Sequence, residues 1–493
     1  MLRRWIFADQ LGPHFLDDPH QPVLLVESKA VFRRRVFHRQ RAHLILSALR
    51  HRAAELGEQA IYLRTENYRE ALRRLDEPVD VCHPTTRRAR DLVKSLDGVT
   101  MLPARGFVTS HTDFADWADE RRSTLRIEDF YRQAQRWHGV LTDGVEPTGG
   151  HWNMEAHRRQ PPPRNGTWLD VPAPPMPEED EIDAEVRRDL DRWAAEGIRF
   201  VGRDGPRLFP ATRTEAVVRL RHFVRHRLPM FGPYADTMRS SDPFMAHSML
   251  SSSFNLGLLD PMEAIREAER AYRDGTAPLS SVEGFIRQLL GWRDFVWHLY
   301  WYFDAGRRPA INRPTSRRSM PVWFTELDAD AVRAHCLSDV LAGVRDRAWV
   351  HHTPRLTVLA NYALQRGWRA ADLVDWFHRC FIDGTEWAMT VNLAGTNQYA
   401  DHGQMVGKPY AVNGAHIKRM SDYCADCHYN PHQRLGGEAC PYTTGYWVFL
   451  DHERTRGRSP GRGRMNRSLQ RLDGLADVPA MVALEKERGS SAP

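Results

Sequence analysis

Three of the six cysteines lie close together near the end of the chain, at Cys424, Cys427 and Cys440. Cys424 and Cys427 are two residues apart on one turn, and Cys440 follows a loop that contains proline and glycine. Thiolates at such spacing suit a tetrahedral soft metal or an iron–sulfur cubane. The stretch therefore predicts metal chemistry, because six cysteines in 493 residues are too few for a disulfide framework.

A site with three thiolates needs a fourth ligand, and spacing alone leaves that ligand open. The candidates are Cys82, Cys336, Cys380 and His428. A structural zinc ion is the plainer alternative to a cluster, and chance clustering of three cysteines is the least favoured interpretation.

Other residues could do chemistry only if the fold brings them to a ligand. By itself, the serine-rich stretch 248–253 is typical of a helix cap or turn. Trp292 and Arg293 are typical of a core tryptophan and an arginine that reaches the surface. The adjacent His351 and His352 point in different directions from a helix, which argues against a metal ion held by that pair and favours a surface or capping role.

In the first hundred residues, short apolar runs alternate with stretches that have the periodicity of helices. Helix-like stretches such as 39–56 alternate with five short apolar runs, which are Trp5–Ala8, Val23–Val26, Ala60–Leu63, Val79–Cys82 and Val99–Leu102. The alternation predicts an α/β domain with a parallel five-stranded sheet over residues 1–130. No run is followed by Gly-x-Gly-x-x-Gly, which argues against an ordinary nicotinamide-binding Rossmann role for this layer.

The remaining residues predict a linker and a helical domain. Residues 131–207 contain a stretch rich in proline and glycine and then an acidic stretch, which is typical of an interdomain linker. Helical periodicity dominates residues 208–493, where Ser280 and Glu283 predict a capping box. Residues 454–467 alternate arginine with small residues and predict a solvated basic loop, with phosphate contact as the alternative.

Charge and hydropathy narrow the class of protein. The 69 basic and 63 acidic residues give a formal charge of +6, which is compatible with a polyanionic partner but does not require one. No apolar run reaches about 18 residues, and Asp9 comes too early for a signal-peptide core. A soluble cytoplasmic protein with no membrane partner is expected.

Three segments together resemble the bacterial branch of the photolyase and cryptochrome superfamily that includes the iron–sulfur (6-4) photolyases. They are 408–424 (Lys-Pro-Tyr-Ala-Val-Asn-Gly-Ala-His-Ile-Lys-Arg-Met-Ser-Asp-Tyr-Cys), 283–293 (Glu-Gly-Phe-Ile-Arg-Gln-Leu-Leu-Gly-Trp-Arg) and 150–153 (Gly-His-Trp-Asn). The similarity covers nearly the whole chain. It implies an α/β antenna-type domain and an all-α FAD-binding domain in a monomer that binds damaged DNA. The implied activity is light-driven repair, most specifically of (6-4) photoproducts.

The resemblance also implies the cofactors. A [4Fe–4S] cluster would be held by Cys336, which precedes Cys424 by 424 − 336 = 88 residues, together with Cys424, Cys427 and Cys440. A lumazine-type antenna is often carried in the α/β domain, where Glu27 and His38 lie in the matching region without an assigned role. The residues expected to bind FAD are Tyr234, His247, Ser248, Leu250, Ser251, Gln288, Arg293, Arg355, Asp383 and Asn392. Hydroxyls and backbone amides near a helix start stabilise a diphosphate without lysine.

On the lesion side, the resemblance implies that His352 donates a proton to the photoproduct and that His351 supports it. Trp292 and Tyr410 would contact the lesion. Two positions depart from related patterns: Met389 stands where many photolyases present Asn or Asp to flavin N5, and Leu356 where eukaryotic relatives have a further histidine.

Two other classes of protein compete with a repair enzyme. A light sensor of the cryptochrome type would use the same cofactors with a signalling partner. An iron–sulfur nucleic-acid-binding protein without photochemistry, such as a primase-like module, fits the cysteines and the charge but leaves the segments around Trp292 and His352 unexplained. In the repair enzyme, the cluster is expected to stabilise the C-terminal helices rather than to carry the repair electron.

Overall fold

The structure is a computed structural model. It describes residues 1–121, 125–152, 154, 160–162, 169–304, 318–391, 411–455 and 464–493, without the side chains of 464–468. Asn392 and Tyr410, two residues of the expected site, lie outside the described residues, as does most of the 454–467 segment. Within the described part of the chain, no helix combines the length and the apolar character needed to cross a bilayer.

A parallel five-stranded sheet forms the N-terminal layer, which confirms the expected fold class. Its strands, in order across the sheet, are Ala60–Thr65, Val23–Ser28, Arg3–Ile6, Val79–Cys82 and Val99–Leu102. The first strand begins at Arg3 rather than at Trp5, because the buried guanidinium of Arg4 pairs with the carboxylate of Asp80 on the neighbouring strand. Arg4 interrupts the apolar pattern in the sequence, but its charge is compensated by Asp80 inside the fold.

The two faces of the sheet pack against different partners. On one face, Trp5, Leu24 and Val81 form a core of their own beneath the helices Tyr68–Leu75 and Arg87–Lys94. On the other face, residues such as Ile6, Val23 and Leu25 belong to the main core, together with residues of the helix Arg39–Leu56 and of the helical half. This shared core joins the sheet to the helical half.

The region expected to link the domains contains regular structure. The helix Glu181–Ala195 begins at a capping box on Asp180 and packs against Arg39–Leu56. The short strand Phe200–Val201 pairs with Phe37–His38. The helices Lys29–Arg34, His111–Asp119 and Ile127–His138 complete the N-terminal part.

From residue 208 onward, the described residues form helices. Their bounds are Arg213–His222, Leu228–Tyr234, Ser251–Asn255, Pro261–Arg273, Leu279–Ile286, Asp294–Asp304, Val322–Thr325, His335–Arg347, His352–Pro354, Asn361–Arg366, Ala370–Cys380, Glu386–Met389, Gly414–Met420, Pro441–Thr455, Arg464–Asp473 and Val478–Arg488. The expected capping box at Ser280 and Glu283 is wrong. The helix begins at Leu279 with Pro278 as its N-cap, so Ser280 already lies inside the first turn.

Three of the long helices contain a widened π-helical segment. These segments are Phe223–Arg227, Arg287–Arg293 and Arg355–Ala360. The last two carry Gln288, Arg293 and Arg355, which are expected site residues. Because π-helical turns occur frequently at functional sites, their positions mark the part of the helical half where a ligand is to be sought.

Candidate functional site

A cavity of about 350 Å³, called here the central cavity, lies where these helices meet. It brings together eleven of the residues that the sequence assigns to FAD or to the lesion: His247, Ser248, Leu250, Ser251, Gln288, Trp292, Arg293, His351, His352, Arg355 and Asp383. Tyr234 is not among the lining residues. Segments more than 100 residues apart in sequence therefore share one cavity of a size typical for cofactor sites.

A buried ion pair anchors one wall of the central cavity. Arg355 donates from Nη1 to Asp383 Oδ1 at 2.8 Å and from Nη2 to Asp383 Oδ2 at 3.1 Å. The hydroxyl of Ser251 donates to Asp383 Oδ2 at 2.6 Å, and Arg355 Nε donates to the carbonyl of Val350 at 2.7 Å. Bidentate pairing of this kind fixes both side chains in one orientation.

Arg293 lies between the central cavity and the N-terminal half. Its Nη1 donates to the carbonyl of Gly106 at 2.7 Å, and its guanidinium stacks 4.1 Å from the ring centroid of Phe107. Burial lowers the pKa of Arg293 to about 10, which leaves it charged near neutral pH. The neighbouring Trp292 is partly exposed in the same cavity, as expected for a residue that faces a ligand.

Three imidazoles meet at one end of the central cavity. The ring of His247 stacks on that of His351 with centroids 4.2 Å apart and planes inclined by 22°. The ring of His352 lies 5.5 Å from His247 and 5.9 Å from His351. The sequence assigned His247 to FAD, whereas the structure puts its ring against the histidine pair.

Burial keeps two of these rings neutral. His247 and His351 are both buried, and desolvation is the main cause that lowers the pKa of each well below its ordinary value. The neighbouring imidazoles lower both pKa values further. Neutral imidazoles that face a cavity can each offer a lone pair or an N–H to a ligand.

The loop that carries His247 is held by a buried arginine. Arg227 donates from Nε to the carbonyl of His247 at 3.1 Å and from Nη2 to the carbonyl of Phe244 at 3.1 Å, and it also contacts the carbonyl of Met245. Met245 and Met249 have φ of 43° and 55°, a left-handed conformation that costs a non-glycine residue about 1–3 kcal/mol. The surroundings thus impose the conformation that presents His247.

His352 has a carboxylate partner that the sequence did not reveal. Its Nε2 lies 3.3 Å from Asp236 Oδ1, and the side chain is 48% exposed. His351 is the N-cap of the helix that His352 opens, so backbone geometry sends the two rings to different environments. Asp236 is 116 residues away in sequence and has no motif of its own, so only the fold identifies it.

The rest of the lining is mostly apolar. It includes the aromatic side chains of Phe231, Phe254, Phe285, Trp349, Phe377 and Trp387. Met389 and Leu356, the two departures from related patterns, also line the central cavity. A flat heteroaromatic ring is the kind of group that such a lining accepts.

Four cysteines line a second, much smaller cavity. Cys336, Cys424, Cys427 and Cys440 come together there with three tyrosines, Tyr423, Tyr429 and Tyr442. Burial raises the pKa of Cys336 well above its usual range and that of Cys424 to about 12, and the neighbouring thiols raise both further. Four sulfurs on three segments are a donor set for a soft metal or a cluster.

The other candidates for the fourth ligand lie elsewhere. Cys82 ends a strand of the sheet, and Cys380 ends the helix Ala370–Cys380. The ring of His428 lies against the guanidinium of Arg333, with 3.1 Å between Nη2 and Nε2. None of these three residues is part of the lining of the cysteine cavity.

A third cavity, of about 450 Å³, opens at the carboxyl edge of the parallel sheet and is called here the sheet-edge cavity. Phe7–Asp9 and Pro84–Thr86 line it directly after the two strands that flank a change of strand order. Ligands of open parallel sheets bind at such a position. Burial raises the pKa of Asp9, which accepts a hydrogen bond from the hydroxyl of Thr85.

The sheet-edge cavity does not include the two residues noted from the sequence. Glu27 is held by Arg50 through two hydrogen bonds of 3.1 Å, and His38 Nε2 lies 3.0 Å from the carbonyl of Arg345. Four arginines line the cavity instead, at positions 34, 35, 41 and 88.

Comparison with known proteins gives a relative along nearly the whole chain. A (6-4) photolyase of Agrobacterium fabrum is 34% identical over 486 residues, which cover 93% of this chain and 93% of that protein. The profile of the family described as deoxyribodipyrimidine photo-lyase-related protein matches residues 4–198.

Solved structures share the fold. A cryptochrome of Synechocystis superposes with a TM-score of 0.54 at 15% identity, covering 96% of this chain and 98% of the other. A bacterial class III photolyase of Agrobacterium tumefaciens superposes with a TM-score of 0.51 at 13% identity, covering 98% and 97%. At these identities the likeness concerns the fold alone.

Proposed function

From the premise that this chain belongs to the deoxyribodipyrimidine photo-lyase-related family of the photolyase and cryptochrome superfamily, we propose that it repairs ultraviolet-damaged DNA with light. The most specific form of this proposal is repair of (6-4) pyrimidine photoproducts. The observation that supports it best is the meeting of His247, His351 and His352 in the central cavity.

FAD fits the donor set of the central cavity. The Arg355–Asp383 pair with the hydroxyl of Ser251 provides hydrogen-bonding groups on one wall, and the aromatic side chains provide flat apolar surface. When bound and reduced, FAD supplies an electron to the lesion on absorbing light. The residues proposed to hold it are Ser248, Leu250, Ser251, Gln288, Arg293, Arg355 and Asp383, with Tyr234 and Asn392 as further expectations, while His247 belongs to the histidine cluster.

His352 is the proposed proton donor. Reversal of a (6-4) photoproduct returns a hydroxyl to its original base, and this transfer needs a proton. The half-exposed ring of His352 lines the central cavity, and its Nε2 lies 3.3 Å from the carboxylate of Asp236. His351 is buried beside it and limits where the ring of His352 can move.

Two further cofactors are proposed, one for the cysteine cavity and one for the sheet-edge cavity. The four cysteines would hold a [4Fe–4S] cluster that ties together the helix His335–Arg347, the loop 421–440 and the start of Pro441–Thr455. The sheet-edge cavity would hold a lumazine-type antenna chromophore between the sheet and the helical half. Trp292 and Tyr410 remain the expected lesion contacts.

The test is the substitution His352→Ala, with illumination of the reduced protein on each lesion in turn. General acid catalysis contributes about a hundredfold to ten-thousandfold, so (6-4) repair should fall by that factor. FAD content, iron content and photoreduction should stay at the level of the parent. The exposed His20 provides a matched control, since His20→Ala should leave repair unchanged.

Three outcomes would contradict parts of the proposal. Parent-level (6-4) repair by the His352→Ala variant would remove the proton donor. Repair of cyclobutane dimers alone would change the lesion class. Photoreduction without repair of either lesion, and without tighter binding to damaged than to undamaged DNA, would favour a cryptochrome-type sensor.

A further inference from the structure

The histidine cluster has a property that goes beyond proton donation. A ring nitrogen of His247, one of His351 and one of His352 all lie within 4.8 Å of one another. In the adjacent pair, the ring centroids are 5.9 Å apart and the ring planes are inclined by 74°. His247 comes from a different segment and adds a third imidazole, which stacks on His351.

Two of the three imidazoles are available as ligands. His247 Nε2 and His351 Nδ1 are buried, and neither has a hydrogen-bond partner among the described residues. Burial also keeps both rings neutral, and the neutral ring is the form that binds a metal. Both residues line the central cavity, where a ligand could supply the missing partner.

The surrounding charges permit a cation at this place. The carboxylate of Asp236 faces the cluster beside His352. The two nearby cations, Arg227 and Arg355, already bind other groups: Arg227 binds backbone carbonyls and Arg355 binds Asp383. Their positive charge is therefore partly compensated where it faces the histidines.

We propose that His247, His351 and His352 form a binding site for a divalent cation of borderline softness, of which zinc is the representative. Zinc takes imidazole nitrogens at about 2.0–2.1 Å, so ligands around it are about 3.3 Å apart and modest ring rotations suffice. Magnesium prefers oxygen ligands and should bind elsewhere or not at all. The site is separate from the cysteine cavity.

Occupation of this site has a consequence for the reaction. A zinc ion on His352 takes the ring nitrogen that would carry the proton, so light-driven (6-4) repair becomes sensitive to zinc. This consequence rests on the proposed function, whereas the binding site itself does not.

Binding is measured first, on the purified holoprotein with its iron content verified before and after zinc addition. Competition between the protein and a chromophoric chelator should show one zinc ion per chain at micromolar concentration. His247→Asn should weaken this binding by more than the roughly tenfold to hundredfold that loss of an outer-shell partner costs. His20→Asn removes an exposed histidine and should bind zinc like the parent. Equal zinc affinity in the parent and in His247→Asn would overturn the proposal.

A second measurement covers the case in which His247→Asn fails to fold. Zinc K-edge absorption of the zinc-loaded parent should show nitrogen and oxygen neighbours at about 2.0 Å, with the multiple scattering of imidazole. Sulfur neighbours near 2.3 Å would assign the ion to cysteines and overturn the proposal.

Repair is measured last, with and without one equivalent of zinc. Zinc should reduce (6-4) repair by the parent at least tenfold, and a chelator should restore it, while flavin photoreduction stays unchanged. Unchanged repair by a zinc-loaded parent would overturn the inhibitory role. If the parent protein repaired neither lesion even without zinc, the proposed function would be wrong. The number of zinc ions bound and the zinc absorption spectrum would still test the binding site itself.

Discussion

The central cavity and the cysteine cavity differ in how their charged or ionisable side chains are paired. In the central cavity the charged groups find partners within the chain, as in the bidentate pair of Arg355 with Asp383. In the cysteine cavity four sulfurs and three tyrosines meet, and no lysine, arginine or histidine is among the described residues that line it. The first site is largely complete before a ligand binds, whereas thiolates in the second would need the proposed metal group to compensate their charge.

Because of this difference, the stability of the fold should depend strongly on the metal group and only weakly on a ligand of the central cavity. Metal binding to thiolates contributes directly to folding, because the unfolded chain has no such site. Binding in a preformed cavity adds stability only in proportion to ligand concentration and affinity. Loss of the proposed cluster should therefore disturb the C-terminal part, and loss of the proposed FAD should leave the fold in place.

The largest effect is expected for Cys336→Ser. The variant should lose its iron and most of its soluble protein, because Cys336 connects the helix His335–Arg347 to the loop that carries the other sulfurs. Iron content and soluble yield measure the effect. Cys380→Ala is the matched control: it removes another buried thiol and should retain full iron. Full iron in Cys336→Ser, or four zinc-bound thiolates in the parent, would break the contrast between the cavities.

Arg355→Ala should have the next largest effect, and a different one. It leaves the carboxylate of Asp383 buried without its ionic partner, a change that costs about 3–5 kcal/mol when an ion pair is buried. We expect lower thermal stability and loss of FAD with iron content retained. Arg454→Ala breaks exposed pairs with Asp451 and Asp473 and should change neither. Iron loss from Arg355→Ala would show that the cavities are not independent.

Acid should destabilise the central cavity. The folded-state pKa values of His247 and His351 lie well below the value of about 6.5 for unfolded histidine. Below that pH the unfolded chain binds protons that the folded protein excludes, so stability falls as pH falls. From about pH 6.5 to pH 5 the loss is at most about 2 kcal/mol for one such ring, at 1.4 kcal/mol per pH unit.

The melting temperature at pH 7 and pH 5 measures this loss. Other buried histidines, such as His38 and His298, contribute to the loss in the parent, so the informative quantity is a difference. His351→Asn should lose less stability between the two pH values than the parent does. An equal loss would mean that these rings are protonated in the folded state. Iron content should stay constant over the same range, since no histidine lines the cysteine cavity among the described residues.

The smallest effect is expected for Ser251→Ala. It removes one hydrogen bond to Asp383 while the two bonds from Arg355 remain, which corresponds to about 1 kcal/mol. FAD should be retained with an affinity reduced about fivefold, as measured by fluorescence of released flavin on dilution. Unchanged FAD occupancy in the double variant Ser251→Ala with Arg293→Ala would remove the central cavity as the flavin site.

Much of the fold could be predicted from local patterns. The parallel sheet follows from short apolar runs that alternate with helices, and the helix Arg39–Leu56 has the bounds that its periodicity indicates. The helix that begins at His352 ends at Gly367, whose φ of 65° is the left-handed conformation that glycine favours. The failures were equally local: Pro278 displaced the helix start expected at Ser280, and the charged Arg4 hid the start of a strand.

The sequence by itself determined the parallel layer, the helical half and the residue types of both sites, because periodicity, spacing and side-chain chemistry are local properties. Only the tertiary structure decided that His247 stacks on His351 and that Asp236 faces His352. Those contacts join segments about 100 residues apart. One of them involves the loop of His247, which Arg227 holds from the π-helical segment Phe223–Arg227. Such contacts have no sequence period, since they arise from the packing of elements against one another.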